Sequence, residues 1–379
     1  MPTASPASIV TYFHDLPDPR RETRNKKHRL IDILVIALCG TIAGCTSAVE
    51  IAAYGRSKRA WLKTFLQLPN GIPSHDTFSR VLQLLDPRRF HDCFVQWVQA
   101  LHQLTRGEVV PIDGKTLRRS FDSAGDLPAL HLISAWAAAN RVVLGEIPVD
   151  DKSNEITAIP KLLEILELTG AIVTIDAMGC QREIAAKARE KGADYVLAVK
   201  DNQPHLYEDL SAHFDRVLED EELLPRARRH ATKEKNRGRT EHRTYLATPV
   251  PKELRNRAAW RDLKSVGCVI SVVHREEQET VEVRYFLSSL KPHAKLLAKA
   301  VRGHWGIENS QHWVLDVVFQ EDQCRARLGN AAENLALLRR LALNLMEKEG
   351  TKHASLRVKG RTAGWNDELM AQILTAGTN

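Results

Sequence analysis

A chain of 379 residues with 43% hydrophobic and 27% charged side chains has enough apolar material for a real core, which excludes whole-chain disorder and suggests two or three domains. Its formal net charge of +7 points to a polyanionic partner. Neither a Cys-x-x-Cys pair nor a Gly-x-x-x-x-Gly-Lys-Ser/Thr string occurs, so a zinc ribbon, a dithiol redox motif and ATP-driven chemistry are all unsupported.

Residues 1 to about 105 read as helical. Ser8 to Leu16 is a short amphipathic piece closed by Pro17-Asp18-Pro19, and Arg20 to Arg29 follows with six Lys/Arg and one Glu. The most apolar run, Ile33 to Ala43, is too short to span a bilayer and reads as a buried helix ending near Gly44. A second helix is expected from Ser47 to Leu66. Ser74 is placed to cap a helix that starts at His75. The turn Leu68 to Pro73 between two helices resembles a helix-turn-helix, a pattern shared by many helical hairpins. The amino terminus lacks the basic-then-apolar pattern of a signal peptide, and the scattered cysteines read as reduced thiols.

Residues 106–202 change character. Strands are expected at Val109–Ile112, His131–Ala137 and Val142–Val149, the last two forming a hairpin around Ala139-Asn140-Arg141. A helix from Asn154 to Leu168, a strand Ile172–Ile175, a helix Arg182–Lys191 and a strand Tyr195–Val199 complete the run. This order describes a mixed α/β sheet and matches a ribonuclease H-like core. Residues 203–291 interrupt it: a helix ends in Glu219-Asp220-Glu221-Glu222, and Arg226 to Arg243 carries eight Lys/Arg against two Glu. Strands at Thr244–Thr248, Lys264–His274 and Thr280–Ser288 suggest an inserted, mainly β subdomain. Residues 292–348 return to helix, with one long helix expected from Ala294 to about Leu315 and another from Asn330 to Glu347. The tail 349–379 carries no strong signal.

Two apolar runs each end in an aspartate: Val109-Val110-Pro111-Ile112-Asp113 and Ala171-Ile172-Val173-Thr174-Ile175-Asp176. Each Asp by itself suits a turn or a helix cap. Delivered at the carboxyl ends of neighbouring strands, the pair would sit at the rim where open α/β sheets bind ligands. A third acid lies in His304-Trp305-Gly306-Ile307-Glu308-Asn309-Ser310-Gln311-His312. On a helix His304, Glu308 and His312 share one face, which reads as a solvated polar stripe, a zinc site or the third part of a carboxylate triad. Asp113, Asp176 and Glu308 together make a hard oxygen set suited to two Mg²⁺ or Mn²⁺ ions acting on a phosphodiester. Lys115 lies two residues past Asp113 and Lys200 ends the strand after Asp176; either suits a phosphate contact. Arg325 and Arg327 follow Glu321-Asp322 and suit the same role, and Arg237 and Arg239 belong to the basic stretch expected to track a DNA backbone.

The strings Ile112-Asp113-Gly114-Lys115-Thr116-Leu117-Arg118-Arg119-Ser120, Lys152-Ser153-Asn154-Glu155-Ile156-Thr157-Ala158-Ile159-Pro160, Thr174-Ile175-Asp176-Ala177-Met178-Gly179-Cys180-Gln181 and His304-Trp305-Gly306-Ile307-Glu308-Asn309, the last extending through Val314-Leu315-Asp316 and Glu321-Asp322, resemble the DDE transposases of bacterial insertion sequences, in the H-repeat-associated branch. The resemblance runs across nearly the whole chain. It implies a ribonuclease H-like core, a metal-binding triad at Asp113, Asp176 and Glu308, and cut-and-join chemistry on double-stranded DNA at element ends. It further implies a β insertion between the second Asp and the Glu. By analogy the enzyme would assemble as a dimer on DNA in the bacterial cytoplasm, at the nucleoid. One departure stands out: many relatives in the wider superfamily carry Arg four residues before the Glu and Lys about seven after it, where this chain has His304 and Leu315. His304 is therefore expected to contact a phosphate or to orient Glu308. A host nuclease without strand transfer and a domesticated DNA-binding copy are the alternatives.

Overall fold

The computed structural model describes residues 8–23, 26–121, 128–149, 155–220, 223, 228–236, 239–275, 278–350 and 354–376. Six helices come first: α1 (Ile9–Phe13), α2 (Leu30–Ile42), α3 (Ala48–Ser57), α4 (Arg59–Leu62), α5 (His75–Leu84) and α6 (Pro87–Leu101). Every residue of α2 is buried, as its all-round apolar sequence demands. Ser74 accepts the Thr77 N–H and Asp86 the Arg88 N–H, so α5 and α6 start where their capping residues stand. The helix expected over Ser47–Leu66 is broken at Lys58, whose ammonium is drawn to Asp367 at 2.7 Å and whose backbone leaves helical dihedrals. The turn before α5 places Leu68 and Gly71 in the left-handed region, with φ of 41° and 74°.

The core sheet begins with β1 (Val109–Thr116), β2 (His131–Ala137) and β3 (Val142–Pro148). It continues through α7 (Glu155–Ile165), β4 (Ile172–Ile175), α8 (Arg182–Glu190) and β5 (Asp194–Val199). β1 pairs antiparallel with β2 and parallel with β4, and β4 pairs parallel with β5. The order β3-β2-β1-β4-β5 is the ribonuclease H-like arrangement. After α9 (Pro204–Glu219) come β6 (Arg228–Asn236), β7 (Arg239–Pro249), β8 (Ser265–Arg275) and β9 (Gln278–Ser288). These do not form a sheet of their own. β9 pairs antiparallel with β5 through Val196↔Ser288 to Val199↔Tyr285, giving nine continuous strands in the order β3-β2-β1-β4-β5-β9-β8-β7-β6. Part of the basic stretch read as a DNA-facing surface is thus the β6–β7 hairpin.

The carboxyl-terminal helices are α10 (Ala294–Gly306), α11 (Trp313–Val317), α12 (Ala331–Lys348), α13 (Leu356–Trp365) and α14 (Asp367–Leu374). The single helix expected over Ala294–Leu315 is instead interrupted by a π-helical turn, Ile307–His312. α12 knits the two halves together. Asn334 donates to the carbonyls of Leu82 and Leu85. Asn344 both accepts from and donates to the Val143 backbone on edge strand β3, at 2.8 and 2.9 Å, so that the edge offers no free pairing surface there. Among the described residues no helix is long and apolar enough to cross a membrane.

Candidate active site

Parallel pairing sets the two aspartates side by side. Ile112 of β1 lies opposite Ile175 of β4, and the next residue on each strand is Asp113 or Asp176. Asp176 does the turn chemistry its type favours: Oδ1 accepts the N–H of Met178 at 3.1 Å and of Gly179 at 3.3 Å. Asp113 stays in the strand and is largely buried. Burial raises its pKa to about 7; the Gly114 N–H opposes this, and the charges of Glu308, Asp176 and Glu155 add to it. Four carboxylates therefore share one electrostatic neighbourhood. Among the described residues no three His, Cys, Asp or Glu side chains stand in metal-ligating geometry, and the acids are near enough to repel one another.

The helix bearing Glu308 lies tight on the sheet because of two glycines. A Cβ on Gly303 would come within 2.8 Å of Val109, and one on Gly306 within 2.9 Å of Trp136. The π turn that follows inserts extra backbone, and the segment reaches both strand ends. His304 Nδ1 sits 3.1 Å from Thr174 Oγ1 on β4, and His312 Nδ1 lies 3.7 Å from Asp113 Oδ2. Glu308, between them, is exposed. Burial keeps the His304 pKa low, against the pull of Asp176. Burial, Arg340 and Lys115 push His312 down to about 4, so His312 is neutral at pH 7. His304 is thus anchored to β4 through Thr174, and its Nδ1 is not presented to a phosphate. Substituting Gly306→Ala is expected to force Trp136 or the π turn aside, at a cost of about 1–3 kcal/mol. DNA cleavage should fall more than tenfold in a protein that still melts cooperatively, measured by calorimetry beside a cleavage assay.

The other expected site residues divide. Lys115 does not face the rim. Its side chain is 7% exposed and its ammonium meets Asp316 at 2.7 Å, Asp322 at 3.0 Å and Glu321 at 3.8 Å. The alternation that puts Lys115 on the face of Asp113 carries it into an acidic nest below the site. Lys200 is exposed just past β5, and Arg325 is exposed past Glu321-Asp322. Arg327 lies over the Phe121 ring at 5.2 Å. Arg239 is exposed at the start of β7, and Arg237 lies outside the described residues.

Two groups near the site were not singled out from sequence. Glu155 accepts a hydrogen bond from His131 Nε2 at 2.8 Å, directly over Gly114, where any Cβ would collide with both side chains. Its signal was its place in the Lys152–Pro160 string. Arg340, wholly buried beneath His312, pairs with Glu146 and Glu321. No local pattern marks it.

A mixed sheet in this order, with aspartates side by side on two neighbouring parallel strands, one within its strand and one just past its end, and a glutamate on a helix laid across them, defines a ribonuclease H-like protein of the DDE type. The chain belongs to the DDE transposase family: the family described as "Transposase DDE domain" matches residues 105–345, and "DDE_Tnp_1-associated" matches residues 10–98. It is 39% identical over 372 residues, 97% of each chain, to the H repeat-associated putative transposase YhhI of Escherichia coli (strain K12). It is 39% identical over 380 residues to the putative transposase YncI of Escherichia coli O157:H7, covering 98% of this chain and 96% of that one. Among solved structures, one of a piggyBac transposase synaptic complex with hairpin DNA aligns at a TM-score of 0.44 and 11% identity, over 97% of this chain and 77% of that one.

Proposed function

We propose that the protein cuts double-stranded DNA at the ends of an insertion element and joins those ends to target DNA, with Asp113, Asp176 and Glu308 as the catalytic triad. The observation that carries this reading is the charge at the rim. Asp113 is held near a pKa of about 7 by burial and by Glu308, Asp176 and Glu155, so the site has surplus negative charge that a cation relieves. The donors are all hard carboxylate oxygens, which fits Mg²⁺ or Mn²⁺. Two such ions, held by Asp113, Asp176 and Glu308, would supply activation of the attacking oxygen and stabilisation of the leaving one. The chain's own contribution is positional. β1 and β4 fix two carboxylates at one level, the π turn brings Glu308 over them, and neutral His312 sits beside Asp113 without competing as a cation. The helical region up to α6 is assigned to element-end binding, with Lys200, Arg239 and Arg325 as candidate backbone contacts and a dimer as the assembled state in the bacterial cytoplasm.

The test is one reaction containing protein, flanked element ends, a target plasmid and Mg²⁺. Joined product is the expected result. Cleavage without joining would make the protein a nuclease only, and binding without cleavage would make it a DNA-binding copy. His304→Ala is expected to slow cleavage about tenfold at unchanged DNA affinity, because the ring tethers the Glu308 helix to Thr174. Single-turnover rates beside a binding titration decide it, and a loss confined to affinity would return His304 to a phosphate contact.

A further inference from the structure

A cavity of about 310 Å³ lies between the outer strands of the sheet and the end of α10, beside the segment that carries Glu308. Arg239 and Arg243 of β7 and Arg302 of α10 line it, and Trp305, three residues before Glu308, forms a wall. The guanidinium of Arg284 lies 4.5 Å from the centre of the Trp305 ring and that of Arg243 lies 5.4 Å away, which fixes the indole between the sheet and the helix.

Two carboxylates answer this charge, and neither does so fully. Glu234 of β6 meets Arg302 at 2.9 Å and Arg243 at 3.2 Å. Glu241 meets Arg243 at 2.5 Å. The Arg243 side chain is 4% exposed, yet among the described residues its Nη1 makes no hydrogen bond and only the ion pair to Glu234. Arg302 is 42% exposed and Glu234 40%, so their pair is held weakly against water and competing anions. Three planar forks converge on a concave, solvated space, a donor geometry that suits the oxygens of a phosphodiester.

We propose that this cavity grips a backbone phosphate of the DNA strand that runs into the site, and that Glu234 is the stand-in from which Arg302 and Arg243 turn when the phosphate arrives. The proposal rests on the reading of the protein as a DNA-cutting enzyme and adds where the strand is held. Because Trp305 joins the cavity wall to the turn preceding Glu308, the gripped phosphate is registered against the triad.

The test measures binding of a fluorescent duplex carrying the element end by anisotropy, across a series of salt concentrations. For the double variant Arg239→Gln/Arg302→Gln, affinity should drop about tenfold near physiological salt. The slope of log affinity against log salt should shrink by about 0.9, the share of one neutralised phosphate. Glu234→Gln should act in the opposite direction and raise affinity about threefold, since it frees both arginines. Thermal melts of each variant check the fold. An unchanged slope in the double variant, or weaker binding by Glu234→Gln, overturns the cavity as a phosphate site and leaves the transposase reading intact if the wild type still cuts. Failure of the wild type to bind the duplex overturns both.

Discussion

Asp113→Asn, Asp176→Asn and Glu308→Gln are each expected to cut DNA cleavage and joining by at least about 10³-fold, with duplex affinity kept within about twofold. Each change keeps the side chain's shape and removes only its charge. Asp113 carries a second, opposite consequence. Its carboxyl titrates near 3.8 in the unfolded chain and is raised to about 7 in the fold by burial, with Glu308, Asp176 and Glu155 adding to the effect. Between those values the native state binds the extra proton, so stability falls as pH rises from about 4 to about 7 and stays low above that. In a chelating buffer at pH 8, Asp113→Asn should therefore be more stable than wild type, by an amount on the order of a few kcal/mol, and its denaturant midpoint should change less with pH. Adding Mg²⁺ should stabilise the wild type and leave Asp113→Asn much less affected. A variant that is inactive and also less stable at pH 8 would mean that Asp113 is a structural acid and not part of a charge-strained site.

Local chemistry explains which features the sequence made readable. The strands β1, β4 and β5 are short apolar runs bounded by turn residues, and parallel pairing of β1 with β4 follows from the helix between them. Asp113 and Asp176 could be read as neighbours for that reason. The continuation of the sheet into β6–β9 could not, because β9 joins β5 through backbone bonds that any sequence can make. β6 is hidden by its composition: the Lys, Arg and Glu of a half-solvated ribbon read as a basic DNA-facing stretch and not as a strand. The π turn is invisible to a period of 3.6, since it adds a residue without altering the apolar pattern on either side. α13 escaped for a different reason. Lys359 lies on its buried face, satisfied by the carbonyls of Met346 and Glu349 and by the Glu349 carboxylate, each at 2.8 Å, so the amphipathic stripe is broken where the helix packs most closely. Lys115 shows the same limit at the site: its spacing from Asp113 gave the correct face, and only the fold could show that Asp316 and Asp322 wait on that face.

Arg340→Met is expected to destabilise the protein by about 3–5 kcal/mol, measured by chemical denaturation at pH 7.5. Its guanidinium is wholly buried and bridges Glu146 of β3 and Glu321 beyond α11. The two acids feel it unequally. Burial raises Glu146 to about 7 even against Arg340. Burial also works to raise Glu321, but Arg340 and Arg339, with Lys115 further off, hold it below the usual range. Removing Arg340 leaves two carboxylates without their main cation in a region no water reaches, and each must take up a proton or break the packing around it. The triple variant Arg340→Met/Glu146→Gln/Glu321→Gln should recover part of the loss, because it removes those three charges together, while buried Arg339 loses the carboxylate it meets at 3.8 Å. The network also meets the active site. Lys115 contacts Glu321 at 3.8 Å and Asp322 at 3.0 Å from the strand that bears Asp113. Arg340→Met should therefore lower cleavage even in the fraction that remains folded. The triple variant should regain stability more completely than activity, because it rebuilds the packing but weakens the acidic nest that anchors Lys115 beneath the triad.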